Sequence, residues 1–183
     1  MLDTYKLVGG ETLNLLKKVD FYIMKAEEYI LSYAVIIIAV MVVGNVLSRA
    51  ITGSSWTFSG EISRFAVILA TFMGISYAAR KGRHISMTAL FDTVPFKLRK
   101  ALAIFIPAVT ALVLFILTYL AYKYLYSVYE SGRTTSALQI PYYLMIMFVP
   151  IGLFLGGLQF LRNMWINIKE KEVYLATEKK DYS

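Results

Sequence analysis

Few residues of this 183-residue chain have the chemistry to react or to bind ions, and they stand at the edges of long apolar stretches. Glu61 and Arg64 come first. Three positions apart, they share one face of a helix, and ionisable groups beside a membrane span are costly enough to suggest a use. That use is a polar contact with another subunit or a path for a coupling ion. The same spacing suits an interfacial ion pair, or a glutamate stabilised by the positive end of a helix. Trp56 and Phe58, just ahead of them, read as interface anchors. The run Arg80-Lys81-Gly82-Arg83-His84 gathers up to four positive charges. It is suited to a lipid phosphate or an acidic loop of a partner, and a basic cluster at a span's cytoplasmic end is also what topology alone demands. As a metal ligand His84 would stand alone, where a site needs three or four donors.

Other chemistry is excluded by what the chain lacks. It has no Cys and one His, hence no disulfide framework, no thiolate metal site, no cysteine nucleophile and no His-rich metal site. No Ser/His/Asp set and no phosphate-binding loop of the GxxxxGK[ST] kind is found. The hydrophobic fraction is 58% and the charged fraction 17%, against about 25% charged in ordinary soluble domains. The apolar excess is gathered into charge-free blocks, which indicates a bilayer and not a larger core. The formal charge of +7 lies at block edges, favouring membrane orientation over a nucleic-acid partner.

Four blocks can position these residues. Tyr29 to Ser48 gives 20 uncharged residues, about 30 Å as a helix at ~1.5 Å per residue, the hydrocarbon thickness. Phe65 to Ala79 is only 15 residues long and crosses if its helix starts near Phe58, which carries Glu61 and Arg64 into the outer end of the span. Ala101 to Tyr122 and Thr134 to Leu161 supply 22 and 28 uncharged residues. The expected spans are therefore about 29–48, 58–79, 101–122 and 138–161, in an all-α membrane protein built as a four-helix bundle. Pro141 is expected in the first turn of the fourth helix, with kinks near Pro107 and Pro150. Gly152 and Gly156 lie at GxxxG spacing and mark a face that packs closely on another helix, in this chain or in a partner.

Direction follows from the basic residues. Fifteen of the 19 Lys and Arg fall in the N-terminal segment, the second loop and the tail, and four in the first and third loops. The bias places both termini in the cytoplasm. The first block, followed by Arg49, is too long for a signal-peptide core and is expected to stay as a span. Residues 1–28 read as a cytoplasmic, interfacial segment, since Leu15, Leu16, Val19, Tyr22, Ile23 and Ala26 recur at helical spacing among lysines, as in an amphipathic helix on anionic headgroups. Residues 29–161 form the membrane domain, and 162–183 a polar cytoplasmic tail.

No charge falls at a span centre, and no repeated halves or broken helices meet around a midplane site, as secondary transporters usually show. The chain reads as an accessory subunit, an integral membrane protein and not an enzyme. The alternative is a small self-assembling exchanger or channel using Glu61.

Three short patterns occur in order: Gly60-Glu61-Ile62-Ser63-Arg64-Phe65; Gly74 followed by Arg80-Lys81-Gly82-Arg83-His84-Ile85, with Val94-Pro95 and Arg99 beyond; and Ala137-Leu138-Gln139-Ile140-Pro141 leading to Val149-Pro150-Ile151-Gly152. Together, over about residues 29–167, they resemble the small membrane subunit of tripartite ATP-independent periplasmic (TRAP) transporters, the DctQ type. One departure is Thr88, where relatives often carry an acidic residue. The resemblance implies a large multi-span partner that holds the sodium and solute sites, so no cofactor in this chain. It also implies an extracytoplasmic binding protein delivering an organic acid, of the dicarboxylate or sialic acid class. Glu61 and Arg64 would then contribute a polar contact near the outer surface. Trp56, Arg80, Lys81, Arg83 and His84 would anchor the subunit among phospholipids of the inner membrane, as a static scaffold.

Overall fold

A computed structural model describes residues 12–81, 95–169, 174–176 and 179–180. Helix α1 runs Thr12–Thr52, α2 Ser59–Lys81, α3 Phe96–Glu130, α4 Tyr142–Ile146 and α5 Phe148–Lys169. Four stretches are long and apolar enough to cross a membrane: Phe21–Thr52, Ser59–Arg80, Leu98–Glu130 and Tyr142–Lys169. The amphipathic segment expected ahead of the first span is continuous with it, since α1 is one helix of 41 residues. At about 60 Å it is roughly twice the hydrocarbon thickness, so it runs on beyond the bilayer.

The fourth span begins at Tyr142 and not near Leu138, because Thr134 and Pro141 form an antiparallel bridge that folds the intervening residues into a tight loop. Thr135 N–H donates to the Ile140 carbonyl at 2.9 Å, and Ile140 N–H donates to Thr135 Oγ1 at 3.1 Å. Gln139 takes a left-handed φ of 53° to close the turn. Pro150 then interrupts the span. It has no N–H to offer the Ile146 carbonyl, its ring crowds that same group, and α4 ends at Ile146 with a turn at Met147. Pro107 sits inside α3 without ending it.

The helices pack mainly in the order α1, α2, α5, α3, a row and not a closed ring. The α2–α5 contact is closest. A Cβ on Gly152 would overlap the backbone of Phe72, and one on Gly156 would lie 2.6 Å from Ile75 Cγ2. Gly157 faces α3, where an added Cβ would meet the Phe115 ring at 3.1 Å. Glycines let backbones approach where lipid gives no hydrophobic drive to association. Edge-to-face rings fill the flanks: Phe65 with Phe148 at 5.7 Å and Phe115 with Phe154 at 5.9 Å.

Burial follows the row. Within its most apolar stretch the fourth span, Tyr142–Lys169, is 44% buried, whereas the first is 6% buried, so the fourth span is central and α1 a flank almost bare of protein. Two hydroxyls of the third span turn back to their own helix, Thr110 to the Ile106 carbonyl at 2.9 Å and Thr118 to the Leu114 carbonyl at 2.8 Å. Within the segment expected as a polar tail, α5 continues to Lys169, and Tyr174–Ala176 and Lys179–Lys180 pair as two short antiparallel strands.

Candidate functional site

The two ends of α2 hold the chain's notable polar contacts. Glu61 stands in the first turn of α2, where the positive end of the helix favours a carboxylate. Its two oxygens accept consecutive backbone N–H groups of the tight loop, Ala137 to Oε1 at 2.7 Å and Leu138 to Oε2 at 3.0 Å. These are charge-assisted bonds, stronger than neutral ones, and they fasten the loop before the fourth span to the start of the second. Arg64, expected to share Glu61's work, is exposed and makes no ion pair with it among the described residues. Of the sequence alternatives, the helix-end position is present and the ion pair is not. The polar contact of Glu61 is made within the chain.

Trp56 is built into the α1–α2 turn. Its ring covers Gly44, where an added Cβ would come within 2.7 Å, and it stacks on Phe58 at 5.8 Å with planes 10° apart. Its backbone N–H donates to Asn45 Oδ1 at 2.7 Å, while Ser59 Oγ donates to the Met41 carbonyl at 3.0 Å.

At the other end, Arg80 is 1% exposed. Its Nη2 lies 4.0 Å from Glu27 Oε2 on α1, and both side chains are buried. A headgroup anchor must reach the surface of the protein, and Arg80 is turned inward, so the lipid-anchoring role expected of it gives way to an interhelical ion pair. Lys81 closes α2, and Arg83 and His84 lie outside the described residues. Nearby on α5, Gln159, Asn163 and Asn167 form a buried polar stripe, with Asn167 Nδ2 donating to the Asn163 carbonyl at 3.0 Å and to Asn163 Oδ1 at 3.2 Å. Sequence reasoning passed over this stripe, and it set Glu27 among the charged residues of the interfacial stretch without a partner. The signal available was their spacing, amides four apart along an apolar helix, since polar side chains in a span face protein and not lipid.

Gly152 and Gly156, singled out by their spacing, pack on Phe72 and Ile75 of α2, inside the chain. No group of three or more His, Cys, Asp or Glu side chains that could hold a metal occurs among the described residues. Two crevices, of about 240 and 260 Å³, open beside the first half of α2. Their linings are apolar apart from Glu61, Thr135 and two tyrosines, and they offer no convergent polar groups for a solute.

These features define a small multi-pass membrane protein whose polar groups join its own helices. The sequence model of the tripartite ATP-independent periplasmic transporter DctQ component matches residues 38–170, and the chain belongs to that family. It is 40% identical over 163 residues to the ectoine TRAP transporter small permease protein TeaB of Halomonas elongata, covering 89% of this chain and 84% of that one. It is also 32% identical over 79 residues to the sialic acid TRAP transporter permease protein SiaT of Haemophilus influenzae, which is 43% of this chain and 13% of that relative.

Proposed function

We propose that this chain is the static scaffold of a TRAP-type secondary transporter, packed against a large multi-span subunit that carries the solute and sodium sites. An extracytoplasmic binding protein would deliver the solute. The observation that carries this reading is that three ionisable groups at the ends of α2 are engaged internally: Glu61 with the N–H groups of Ala137 and Leu138, and Glu27 with Arg80. No convergent set of polar groups for a solute occurs along α2 among the described residues, and membership of a transporter permease family supports a non-enzymatic role. The fifteen-to-four distribution of Lys and Arg supports both termini on the cytoplasmic side of the inner membrane. In that orientation the Glu61 end of α2 faces outward, and the N-terminal and C-terminal segments lie among cytoplasmic headgroups.

The relatives are named for two solutes, ectoine and sialic acid. The organic-acid class, dicarboxylate or sialic acid, is supported by one of those names and not the other. The residues that choose the solute belong to other chains.

Purification of the tagged full chain from its native membrane tests the assignment, with a large membrane subunit expected to accompany it. Recovery as a lone monodisperse monomer, or solute flux through vesicles containing this chain and nothing else, would refute it.

A further inference from the structure

The charges that bound the apolar blocks of α1 and α3, the two edges of the row, do not stand at the same height. Contacts at the middle of the bundle set a common level. Leu31 of α1 packs on Gly74 of α2, Ile75 of α2 on Gly156 of α5, and Leu114 of α3 on Gly156 as well. Leu31 and Leu114 therefore mark one height on the two edges, and in the orientation given above both helices run from the cytoplasmic side outward.

From that height the bounding charges are reached after unequal distances. Toward the cytoplasm, Glu28 on α1 is three residues away, about 5 Å along the helix, and Lys100 on α3 is fourteen away, about 21 Å. Outward, Arg49 on α1 is eighteen residues away, about 27 Å, and Lys123 on α3 is nine away, about 14 Å. The two offsets have one sense and nearly one size, about 16 Å inside and about 13 Å outside. The apolar belt thus keeps the thickness of the hydrocarbon, about 30 Å, and slopes from one edge of the row to the other. Exposed apolar side chains follow the slope. Phe105 and Leu98 of α3, with Trp165 and Ile168 of α5, lie lower than the exposed Lys25–Glu28 ion pair of α1.

We infer that the row stands slanted in the bilayer, its α1 edge displaced outward from its α3 edge by about 15 Å, so that acyl chains meet it along an oblique belt. Three interaxial steps of about 8–10 Å separate the edges, and the displacement then corresponds to a tilt of about 30°, inside the range of about 0–40° found for single spans. An upright row forces a choice. If α3 fits the hydrocarbon, the Lys25–Glu28 pair sinks about 16 Å into it; if α1 fits, Lys123 sinks about 13 Å. Charges exposed to lipid at such depths are costly, and tilting removes both conflicts without a change of bilayer thickness. Arg64 on α2 and Arg162 on α5 fall inside the slanted planes by about 6 Å and about 7 Å, within the reach of an arginine side chain. Beyond the belt α3 continues for seven residues outside, carrying Tyr124, Tyr126 and Tyr129, and α1 for sixteen residues on the cytoplasmic side.

The chain contains no Cys, so single cysteines report depth without background from it. Two pairs of positions are matched in height and exposure. Tyr22 and Phe105 each lie nine residues to the cytoplasmic side of the common level and are 70% and 65% exposed; Val43 and Tyr126 each lie twelve residues outward and are 56% and 54% exposed. Each is changed to Cys in the full complex, in native membrane vesicles of both orientations. A membrane-impermeant polyethylene-glycol maleimide is applied, and its reaction, which requires a thiolate, is read as a gel shift of this chain. The amount of inserted chain and the reactivity after denaturation are checked for each variant.

Tyr22→Cys should react about tenfold or more faster than Phe105→Cys, and Tyr126→Cys than Val43→Cys by a similar factor. Equal rates within either pair, or the reverse order, would overturn the inference. The labelling is repeated on the full chain alone in liposomes. Protection of Phe105→Cys and Val43→Cys that vanishes there would mean cover by a partner in place of lipid, and would overturn it too. A pair that fails to insert is replaced by Phe21 with Ile104, or Val46 with Tyr129, matched in height in the same way. The expected split seen from the opposite vesicle faces upholds the slant and refutes instead the orientation read from Lys and Arg.

Discussion

Helix α2 carries an ionisable residue near each end, and the two are held in opposite ways. Glu61 reaches a loop 76 positions later and binds main-chain N–H groups, which almost any loop sequence supplies. Arg80 is sealed inside and binds a side chain, Glu27, which one substitution removes. A joint made to backbone tolerates drift in the sequence it touches. A joint made by a buried ion pair does not, because removing one member strands the other in a medium of low dielectric. One helix is thus fastened permissively at one end and strictly at the other.

The strict end should show the largest effect. Glu27→Ala is expected to lower stability by about 3 kcal/mol or more, the loss typical of stranding one member of a buried pair, read as a fall in the unfolding midpoint of the purified protein in detergent. Changing both members, Glu27→Leu with Arg80→Met, should regain most of that loss. A harmless Glu27→Ala would erase the contrast between the ends. Gly152→Ala acts midway, where the new methyl meets the backbone of Phe72. It should cost about 1–3 kcal/mol, as overpacking does, and disturb both ends together.

At the permissive end Glu61→Gln leaves one acceptor oxygen for two N–H groups. Amide exchange at Ala137 and Leu138 should quicken, while the unfolding midpoint falls less than in Glu27→Ala. An equal fall would place the two joints in one class. Arg64→Gln, at an exposed position with no partner among the described residues, should leave the midpoint unchanged within error.

The number of spans was legible because charge-free length sets three of them, and the 15-residue second block reaches span length once its helix starts near Phe58. The interruption of the fourth span was only half legible. Pro150 announces a lost hydrogen bond, but whether a helix bends or stops depends on what surrounds Ile146 and Met147. Glu61 was legible as unusual, yet its partners are peptide N–H groups, which have no residue type and leave no trace in composition. Arg80 was misread for a related reason: a basic run at the end of a span looks the same whether its members face headgroups or a carboxylate on the next helix. Glu27, placed among the lysines of an amphipathic stretch, gave no sign of facing inward. The spacing of Gly152 and Gly156 marked a close approach, and the identity of the neighbouring helix came only from the fold.

Helices set side by side as α1, α2, α5 and α3 make a wall, and a wall has no bore. Because the wall is one helix thick, each helix presents a surface on both of its broad sides, and a push on one side reaches the other directly through the helix that receives it.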